Sequence, residues 1–289
     1  MSALTYLELT KPRLLPLVLF SGLPALVLAS GGWPSPLSAV AVLLGTALAA
    51  GSANTLNSYL ERERDARMQR TATRPLPAGK LDARRALGFG LALAVLGPGL
   101  LWTAAGPAAA AVALAGILFY VFIYTLWLKP RTPAAVVVGG VAGAVAPLIA
   151  DAAFDGHIGA AGWWLFAIVF VWQPPHFWSI TLYRRAEYQA AGFPLLSNRI
   201  GVQALRWRIL AWIVGLVPVT LAAGALSALG PLYMASALGL GAWFVYRAVQ
   251  LVREQTDAAA RSLFRDSLLY LMGLFASMLA DLALFVGPA

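Results

Sequence analysis

Nine apolar stretches recur along this 289-residue chain, and each is long enough to cross the roughly 30 Å hydrocarbon core of a bilayer as an α-helix. Hydrophobic residues make up 60% of the sequence, whereas charged residues make up only 11%. The pattern therefore predicts an all-α, polytopic membrane protein whose nine transmembrane helices pack as a bundle within the lipid bilayer. The expected spans are about 14–30, 36–58, 86–104, 108–128, 134–153, 162–182, 208–228, 231–251 and 264–286.

The basic residues are distributed unevenly between the two sides that these spans define. If the N-terminus is cytoplasmic, all 21 Lys and Arg residues fall in the N-terminal tail or in cytoplasmic connections, as the positive-inside rule requires. The sequence thus predicts a multi-pass protein of the cell inner membrane, with its N-terminus inside and its C-terminus outside. Because this topology accounts for the net charge of +9, nucleic acid is not expected as a partner.

Two of the cytoplasmic connections, at about 59–85 and 183–207, are much longer than the others. They occupy similar places in the two halves of the chain, and corresponding polar segments in two halves of a membrane protein often meet at one site. We therefore expect one transmembrane domain over 1–289, whose active site is formed by these two loops and faces the cytoplasm.

Three side chains with oxygen ligands, Asn57, Glu61 and Asp65, follow one another at four-residue spacing where the second span meets the first long loop. This spacing places them on one face of a helix. Amide and carboxylate oxygens are ligands that Mg²⁺ prefers, so the pattern predicts a metal site. The many arginines that follow, among them Arg70 and Arg74, exceed the nearby acids in number and indicate an anionic ligand.

A second polar group, Gln173 and His176, lies inside an apolar span and flanks Pro174 and Pro175. Proline removes backbone hydrogen bonds from a helix, and irregular backbone at membrane depth is tolerated only within protein or beside a wet cavity. We therefore expect Gln173 and His176 to face a cavity. From the residues alone, His176 is a candidate to ligate a metal, to relay a proton or to hydrogen-bond a neighbouring helix.

Three further cations, Arg13, Lys129 and Arg131, lie at the cytoplasmic ends of spans. Cations at such positions commonly anchor a helix at the membrane interface. They are equally suited to binding phosphate or carboxylate groups. The sequence leaves both roles open for these residues.

The Asn57, Glu61 and Asp65 motif resembles the first signature of the UbiA-type intramembrane prenyltransferases, Asn-x-x-x-Asp-x-x-x-Asp, in the form with a central Glu that their heme-modifying branch carries. The continuation at 68–77 is similar to the same branch. Residues 172–177, 187–188 and 191–194 resemble its second signature, with Glu187 where that branch usually has Asp, and the resemblance extends from Lys11 through the last span.

The resemblance implies Mg²⁺-dependent transfer of a farnesyl group from farnesyl diphosphate to the 2-vinyl group of heme B, with addition of water. A downstream heme-modifying enzyme or an oxidase-assembly protein is then a further expected partner. By the same resemblance, the Mg²⁺ ligands are Asn57, Glu61, Asp65 and Glu187, which with His176 form the catalytic set; the diphosphate-binding residues are Arg13, Arg70, Arg74 and Lys129; and the heme-binding residues are His176, Gln173, Arg131, Arg184 and Arg185.

Two alternatives remain open at this point. A prenyltransferase of the same superfamily would act on an aromatic acceptor, such as a quinone precursor or a chlorin. A membrane transporter would share the polytopic helices and the two corresponding polar segments. The concentration of acids and arginines at one membrane face, rather than at mid-depth, favours the enzyme over the transporter.

Overall fold

A computed structural model describes residues 3–227 and 229–285, and within these residues the regular secondary structure is helical throughout. The prediction of an all-α protein is therefore confirmed. In chain order the elements are α1 (Ala3–Leu9), α2 (Leu15–Ala29), α3 (Pro36–Asp65), α4 (Ala83–Ala105), α5 (Pro107–Leu118) continued by a π-helix (Phe119–Leu128), α6 (Ala135–Gly143), α7 (Val145–Asp155), α8 (Ala160–Tyr183), α9 (Arg185–Ala190), α10 (Leu196–Ile200), α11 (Val202–Ala225), α12 (Pro231–Glu254) and α13 (Asp257–Phe285).

Eight helical segments in the described part of the chain are long and apolar enough to cross a membrane, with α5 and the π-helix forming one of them and α6 and α7 another. The expected multi-pass architecture is confirmed. Helix α2 has only 15 residues, which at a rise of 1.5 Å per residue extends about 22 Å and is shorter than the hydrocarbon core. The count of nine spans and the sides on which the termini lie remain predictions.

The long connections start and end inside the limits expected from the sequence. Helix α3 continues to Asp65, so the whole oxygen-bearing motif is helical and the first loop covers 66–82. Glu and Arg are good helix formers, which explains why the polar residues extend α3 rather than end it. The second loop, 184–201, contains α9 and α10. We call the end of the bundle that carries these two loops the loop end.

The Pro174–Pro175 pair does not interrupt helix α8, which runs continuously from Ala160 to Tyr183. Gln173 is partly exposed, and its Nε2 donates a hydrogen bond to the carbonyl oxygen of Gly140 at 2.8 Å. Gly143 lies against the same side chain so closely that a Cβ would clash. Helix α6 thus provides a polar contact beside the prolines; that Gln173 faces a cavity remains a prediction.

Asp281 is a fully buried acid in α13 whose carboxylate lies at the N-terminus of α12. It accepts hydrogen bonds from the backbone N–H groups of Gly230 and Tyr233, the latter at 3.1 Å. Backbone N–H groups at a helix N-terminus lack partners within the helix and favour a nearby negative charge. The burial of this acid within a transmembrane helix therefore has a structural explanation.

We expect Asp281→Ala to lower the free energy of unfolding by about 1–3 kcal/mol, because it leaves the buried N–H groups of Gly230 and Tyr233 without an acceptor. Thermal unfolding in detergent measures the effect. The exposed Asp155 provides a matched control through Asp155→Ala. Equal Tm values for the two variants would refute the capping role.

Candidate active site

The motif at the loop end of α3 is buried, although it consists of polar residues. The exposed fractions of Asn57, Glu61 and Asp65 are 2%, 5% and 5%. One face of α3 therefore presents an amide and two carboxylates to the interior of the bundle. Charged groups at such depth require partners of opposite charge.

Each of these three side chains contacts a cation from a different segment of the chain. The cations come from the turn after α1, from the first loop and from the residue after the π-helix. Three different segments of the chain thus converge on α3. The contacts are Lys11 Nζ to Asn57 Oδ1 at 2.7 Å, Arg74 to Asp65 Oδ2 at 2.9 Å and Lys129 Nζ to Glu61 Oε2 at 2.6 Å.

The three cations lie close enough together to influence one another. Burial lowers the pKa of Lys11 to about 7, and repulsion from Arg74 and Lys129 contributes to the decrease, against the attraction of Glu61 and Asp65. Burial also lowers the pKa of Lys129, but attraction to Glu61 outweighs it, so this pKa lies above its usual value. The three cations therefore form one cluster, an arrangement that suits binding of a polyanion.

The π-helix positions Lys129 and Thr125 relative to α3. The backbone N–H of Lys129 donates to the carbonyl oxygen of Tyr124 at 2.9 Å, five residues earlier. Thr125 Oγ1 donates to the carbonyl oxygen of Tyr120 at 2.8 Å and accepts from Asn57 Nδ2 at 3.1 Å. Asn57 is thus held from both sides, and π-helices are frequent at functional sites.

The second loop contributes the fourth predicted metal ligand. Glu187, in α9, accepts a hydrogen bond from Arg184 at 2.7 Å through Oε1. The first and second loops pack against each other through an apolar cluster of Met68, Tyr188, Ala191, Phe193 and Leu195. The structure therefore brings the two loops together, as the sequence predicted.

Phe193 connects this loop contact to the cations. The preceding Gly192 has φ of 75°, a left-handed conformation that favours glycine. Lys129 Nζ lies 5.1 Å from the centroid of the Phe193 ring, and Arg64 Cζ lies 5.6 Å from it. Cations at such distances are attracted to an aromatic ring, so Phe193 helps to hold Lys129 beside Glu61.

Two carboxylate oxygens at the loop end fit the requirements of a divalent cation. Glu61 Oε1 and Glu187 Oε2 are buried and have no hydrogen-bond partner among the described residues. Buried oxygens without partners are unusual, and Mg²⁺ takes oxygen ligands. Within 3–227 and 229–285, no three His, Asp or Glu side chains converge on one point. The donor set therefore suits Mg²⁺ that is also coordinated by substrate phosphates and water.

Two recesses adjoin these residues. The first, of about 230 Å³, is bounded by Lys11, Asp65 and Arg74 and by the backbone turn at 75–77. The second, of about 410 Å³, lies beyond Lys129 and is lined mainly by apolar side chains of α8 and the second loop. One recess thus adjoins the Asp65–Arg74 pair, and the other adjoins Lys129.

The other predicted cations have surroundings that differ from those of Arg74 and Lys129. Arg13, Arg70 and Arg185 are exposed. Arg131 donates to the carbonyl oxygens of Leu126 and Trp127 at 2.8 and 2.9 Å, so it satisfies the end of the π-helix. Sequence reasoning missed Lys11, although it belongs to the Lys11-Pro12-Arg13 segment that carried part of the resemblance.

His176 lies on α8 and contacts α13. Its Nδ1 is 2.6 Å from Ser267 Oγ, and its ring lies between the rings of Trp172 and Phe264, at centroid distances of 4.4 and 4.7 Å. The side chain is only partly exposed. His176 therefore lies in an aromatic slot between two helices, with part of its side chain accessible.

The described residues thus form a helical membrane bundle whose loop end is lined by acids and cations. A model of the UbiA prenyltransferase family matches residues 18–279. The chain therefore belongs to the UbiA prenyltransferase family. Its membership in a family of enzymes overturns the transporter alternative.

Individual relatives agree with this assignment. Protoheme IX farnesyltransferase from Acidiphilium cryptum (strain JF-5) is 42% identical over 285 residues, which cover 96% of this chain and 90% of that protein. A structure of digeranylgeranylglyceryl phosphate synthase shares the fold with a TM-score of 0.80 at 18% identity, covering 96% of this chain and 97% of that one. A UbiA homolog from Archaeoglobus fulgidus bound to GPP and Mg²⁺ has a TM-score of 0.68 at 15% identity, with 95% and 99% covered.

Proposed function

We propose that this protein transfers the farnesyl group of farnesyl diphosphate to the 2-vinyl group of heme B, with addition of water, and releases diphosphate. The observation that carries the proposal is the set of three cations paired with Asn57, Glu61 and Asp65 at the loop end. Acids and cations side by side suit a metal–diphosphate ligand. The protoheme IX farnesyltransferase that is 42% identical to this chain supports heme B as the acceptor.

The oxygen donors of α3 and of the second loop would hold Mg²⁺ against the diphosphate. Asn57, Glu61 and Asp65 approach from α3, and Glu187 approaches from the second loop. When bound, Mg²⁺ supplies Lewis acidity to the diphosphate oxygens. The buried, unpartnered oxygens of Glu61 and Glu187 support this assignment.

The main catalytic requirement of this reaction is to neutralise the negative charge of the departing diphosphate. The farnesyl C1–O bond breaks, and its electron pair leaves with the diphosphate, whose charge Lys11, Arg74 and Lys129 stabilise. The terminal vinyl carbon of heme B forms a bond to farnesyl C1, which leaves a positive charge on the carbon next to the porphyrin. Water adds to that carbon and loses a proton, giving the hydroxyethylfarnesyl group. No nucleophilic side chain takes part.

The charge distribution supports a proposal for the location of this chemistry. We propose a single transmembrane prenyltransferase domain over 1–289 in the cell inner membrane, with the N-terminus and the loop end facing the cytoplasm and the C-terminus outside. The 21 Lys and Arg residues support this orientation through the positive-inside rule. An enzyme that modifies the product heme further, or an oxidase-assembly protein, remains the predicted downstream partner.

A reconstituted reaction tests the function. The purified protein in lipid nanodiscs is incubated with farnesyl diphosphate, Mg²⁺ and either heme B or 4-hydroxybenzoate, and the products are identified by mass spectrometry. We expect hydroxyethylfarnesyl heme, and we expect its formation to stop when EDTA removes the metal. Prenylation of the phenol alone would reject heme B as the acceptor.

Lys11 should contribute to diphosphate binding more than the neighbouring Arg13. We expect Lys11→Gln to raise KM for farnesyl diphosphate by about 10- to 100-fold, because it removes a charge-assisted contact of roughly 1.5–3 kcal/mol. The exposed Arg13 provides the control, and Arg13→Gln should leave KM nearly unchanged. Steady-state kinetics with varied farnesyl diphosphate measures both. A larger effect for Arg13→Gln would contradict the assignment.

A further inference from the structure

Ser267 makes three polar contacts that bear on His176. Its Oγ is 2.6 Å from His176 Nδ1 and donates to the carbonyl oxygen of Phe264 at 2.7 Å. Its own carbonyl oxygen accepts a hydrogen bond from Trp172 Nε1 at 2.8 Å. Ser267 is fully buried. One residue of α13 thus holds both His176 and the ring on which His176 stacks.

The single hydroxyl proton of Ser267 decides which nitrogen of His176 carries a proton. If the hydroxyl donates to Phe264, its oxygen accepts from His176 Nδ1–H, and both hydrogen bonds form. If the hydroxyl donates to Nδ1 instead, the bond to Phe264 is lost, and the imidazole proton lies on Nε2. No described residue accepts a hydrogen bond from Nε2. The first arrangement therefore makes one more hydrogen bond and is favoured.

The aromatic slot fixes the direction in which Nε2 points. The His176 ring is stacked on Trp172 with an interplanar angle of 23° and tilted by 35° from Phe264. Rotation of the imidazole would break the Ser267 contact and reduce this packing. The Nε2 edge is consequently held opposite to α13.

The position of His176 along α8 places it near the proposed site. Gln173, His176 and Ile180 share one face of the helix by their spacing. Ile180 packs against the apolar cluster that joins the two loops, which includes Met68 and Tyr188. His176 is therefore about one helical turn deeper than the contact between the loops.

We infer that Ser267 is a positioning residue: it holds His176 as the Nδ1–H tautomer, so that the Nε2 lone pair is presented as an axial ligand to the heme iron of the acceptor. This inference rests on the proposed function. The interaction is a dative bond from Nε2 to iron and changes no oxidation state. A hydrogen bond from one imidazole nitrogen commonly sets which nitrogen binds a metal. Ligation would fix the centre of the porphyrin relative to α8.

Spectroscopy of bound heme tests the inference. Ferric heme B is titrated into the wild-type protein and into Ser267→Ala, Ser267→Thr and His176→Ala in nanodiscs, and the Soret band and the electron paramagnetic resonance signal are recorded. We expect the wild type and Ser267→Thr to show an imidazole-ligated iron. Ser267→Ala should weaken heme binding by about 10- to 100-fold, as loss of a hydrogen bond to a ligating His typically does.

His176→Ala should lose the imidazole signature, and added free imidazole should restore it. Binding of farnesyl diphosphate, measured separately, should be the same in all variants. If Ser267→Ala does not fold, Ser267→Cys replaces the hydroxyl with a weaker acceptor and answers the same question.

Two results would overturn the inference: an unchanged spectrum and heme affinity in Ser267→Ala, or an imidazole signature that persists in His176→Ala. Failure of the proposed function would give a different experimental result. In that case the wild-type protein would form no farnesylated heme with farnesyl diphosphate and Mg²⁺, whatever the heme spectra show.

Discussion

Replacement of Glu61 by Gln is expected to lower kcat/KM for farnesyl diphosphate by about 10²- to 10³-fold, the usual cost of losing one group that stabilises transition-state charge. Gln keeps the size of the side chain but removes its negative charge. Oε1 of Glu61 is buried without a partner, and Oε2 accepts from Lys129 at 2.6 Å. The substitution therefore weakens a metal ligand and leaves Lys129 without its counter-ion. Initial rates at varied Mg²⁺ concentration measure the change.

Glu63 provides a matched control on the same helix. Its side chain is 81% exposed and pairs with Arg62 at 3.5 Å. An exposed ion pair of this kind contributes little to the stability of the fold. Glu63→Gln should therefore retain nearly full activity. Comparable activity of Glu61→Gln and Glu63→Gln would show that α3 does not contribute a ligand through Glu61.

The second large effect is expected at Arg74. Arg74→Gln should lower kcat/KM by about 10- to 100-fold, because charge-assisted hydrogen bonds of roughly 1.5–3 kcal/mol are lost. Arg74 pairs with the buried Asp65 at 2.9 Å and borders the recess beside Lys11. Arg74→Lys should recover only part of the activity, since an ammonium does not reproduce the planar guanidinium. Kinetics with varied farnesyl diphosphate measures both variants.

The variant Arg70→Gln distinguishes the loss of a specific contact from the loss of positive charge in general. Arg70 lies in the same loop, carries the same group and is exposed. Arg70→Gln changes the net charge as Arg74→Gln does, so a purely long-range effect would affect both variants equally. We expect only the Arg74 variant to lose activity, and an equal loss in both would reject a specific role for Arg74.

The transmembrane architecture was largely predictable because apolar length alone defines a spanning helix. The stretch expected at 108–128 corresponds to the segment Pro107–Leu128, and the one expected at 208–228 overlaps Val202–Ala225, which begins six residues earlier. The limits of the loops were less predictable. Glu61 to Asp65 are polar, so they suggested a connection, although their residue types continue a helix readily.

The oxygen-bearing motif was predictable from spacing, but its cations were only partly so. Lys129 and Arg74 were among the candidates and lie at the site. Arg13 was a candidate, whereas Lys11 makes the contact. Lys11 has φ of 56°, a left-handed conformation uncommon outside glycine. Nothing in local sequence preference indicates that turn, since tertiary contacts impose it.

Arg131 illustrates a different limit of sequence reasoning. A cation just beyond a transmembrane helix has the same appearance whether it binds a ligand or satisfies the helix end. The carbonyl oxygens that Arg131 contacts, those of Leu126 and Trp127, belong to the last turn of the helix, where carbonyl groups lack partners within the helix. Whether a cation folds back onto such groups or extends to a ligand depends on tertiary packing, which the local sequence does not specify.

The π-helix also limits how the length of this chain can vary during evolution. Loops between helices commonly accept insertions and deletions, but the segment Phe119–Leu128 sets the rotational position of Lys129 relative to α3. Removal of one residue from it would favour return to ordinary α-helical pairing and would turn Lys129 away from Glu61. Functional descendants of this sequence should therefore conserve the number of residues here more strictly than their identity.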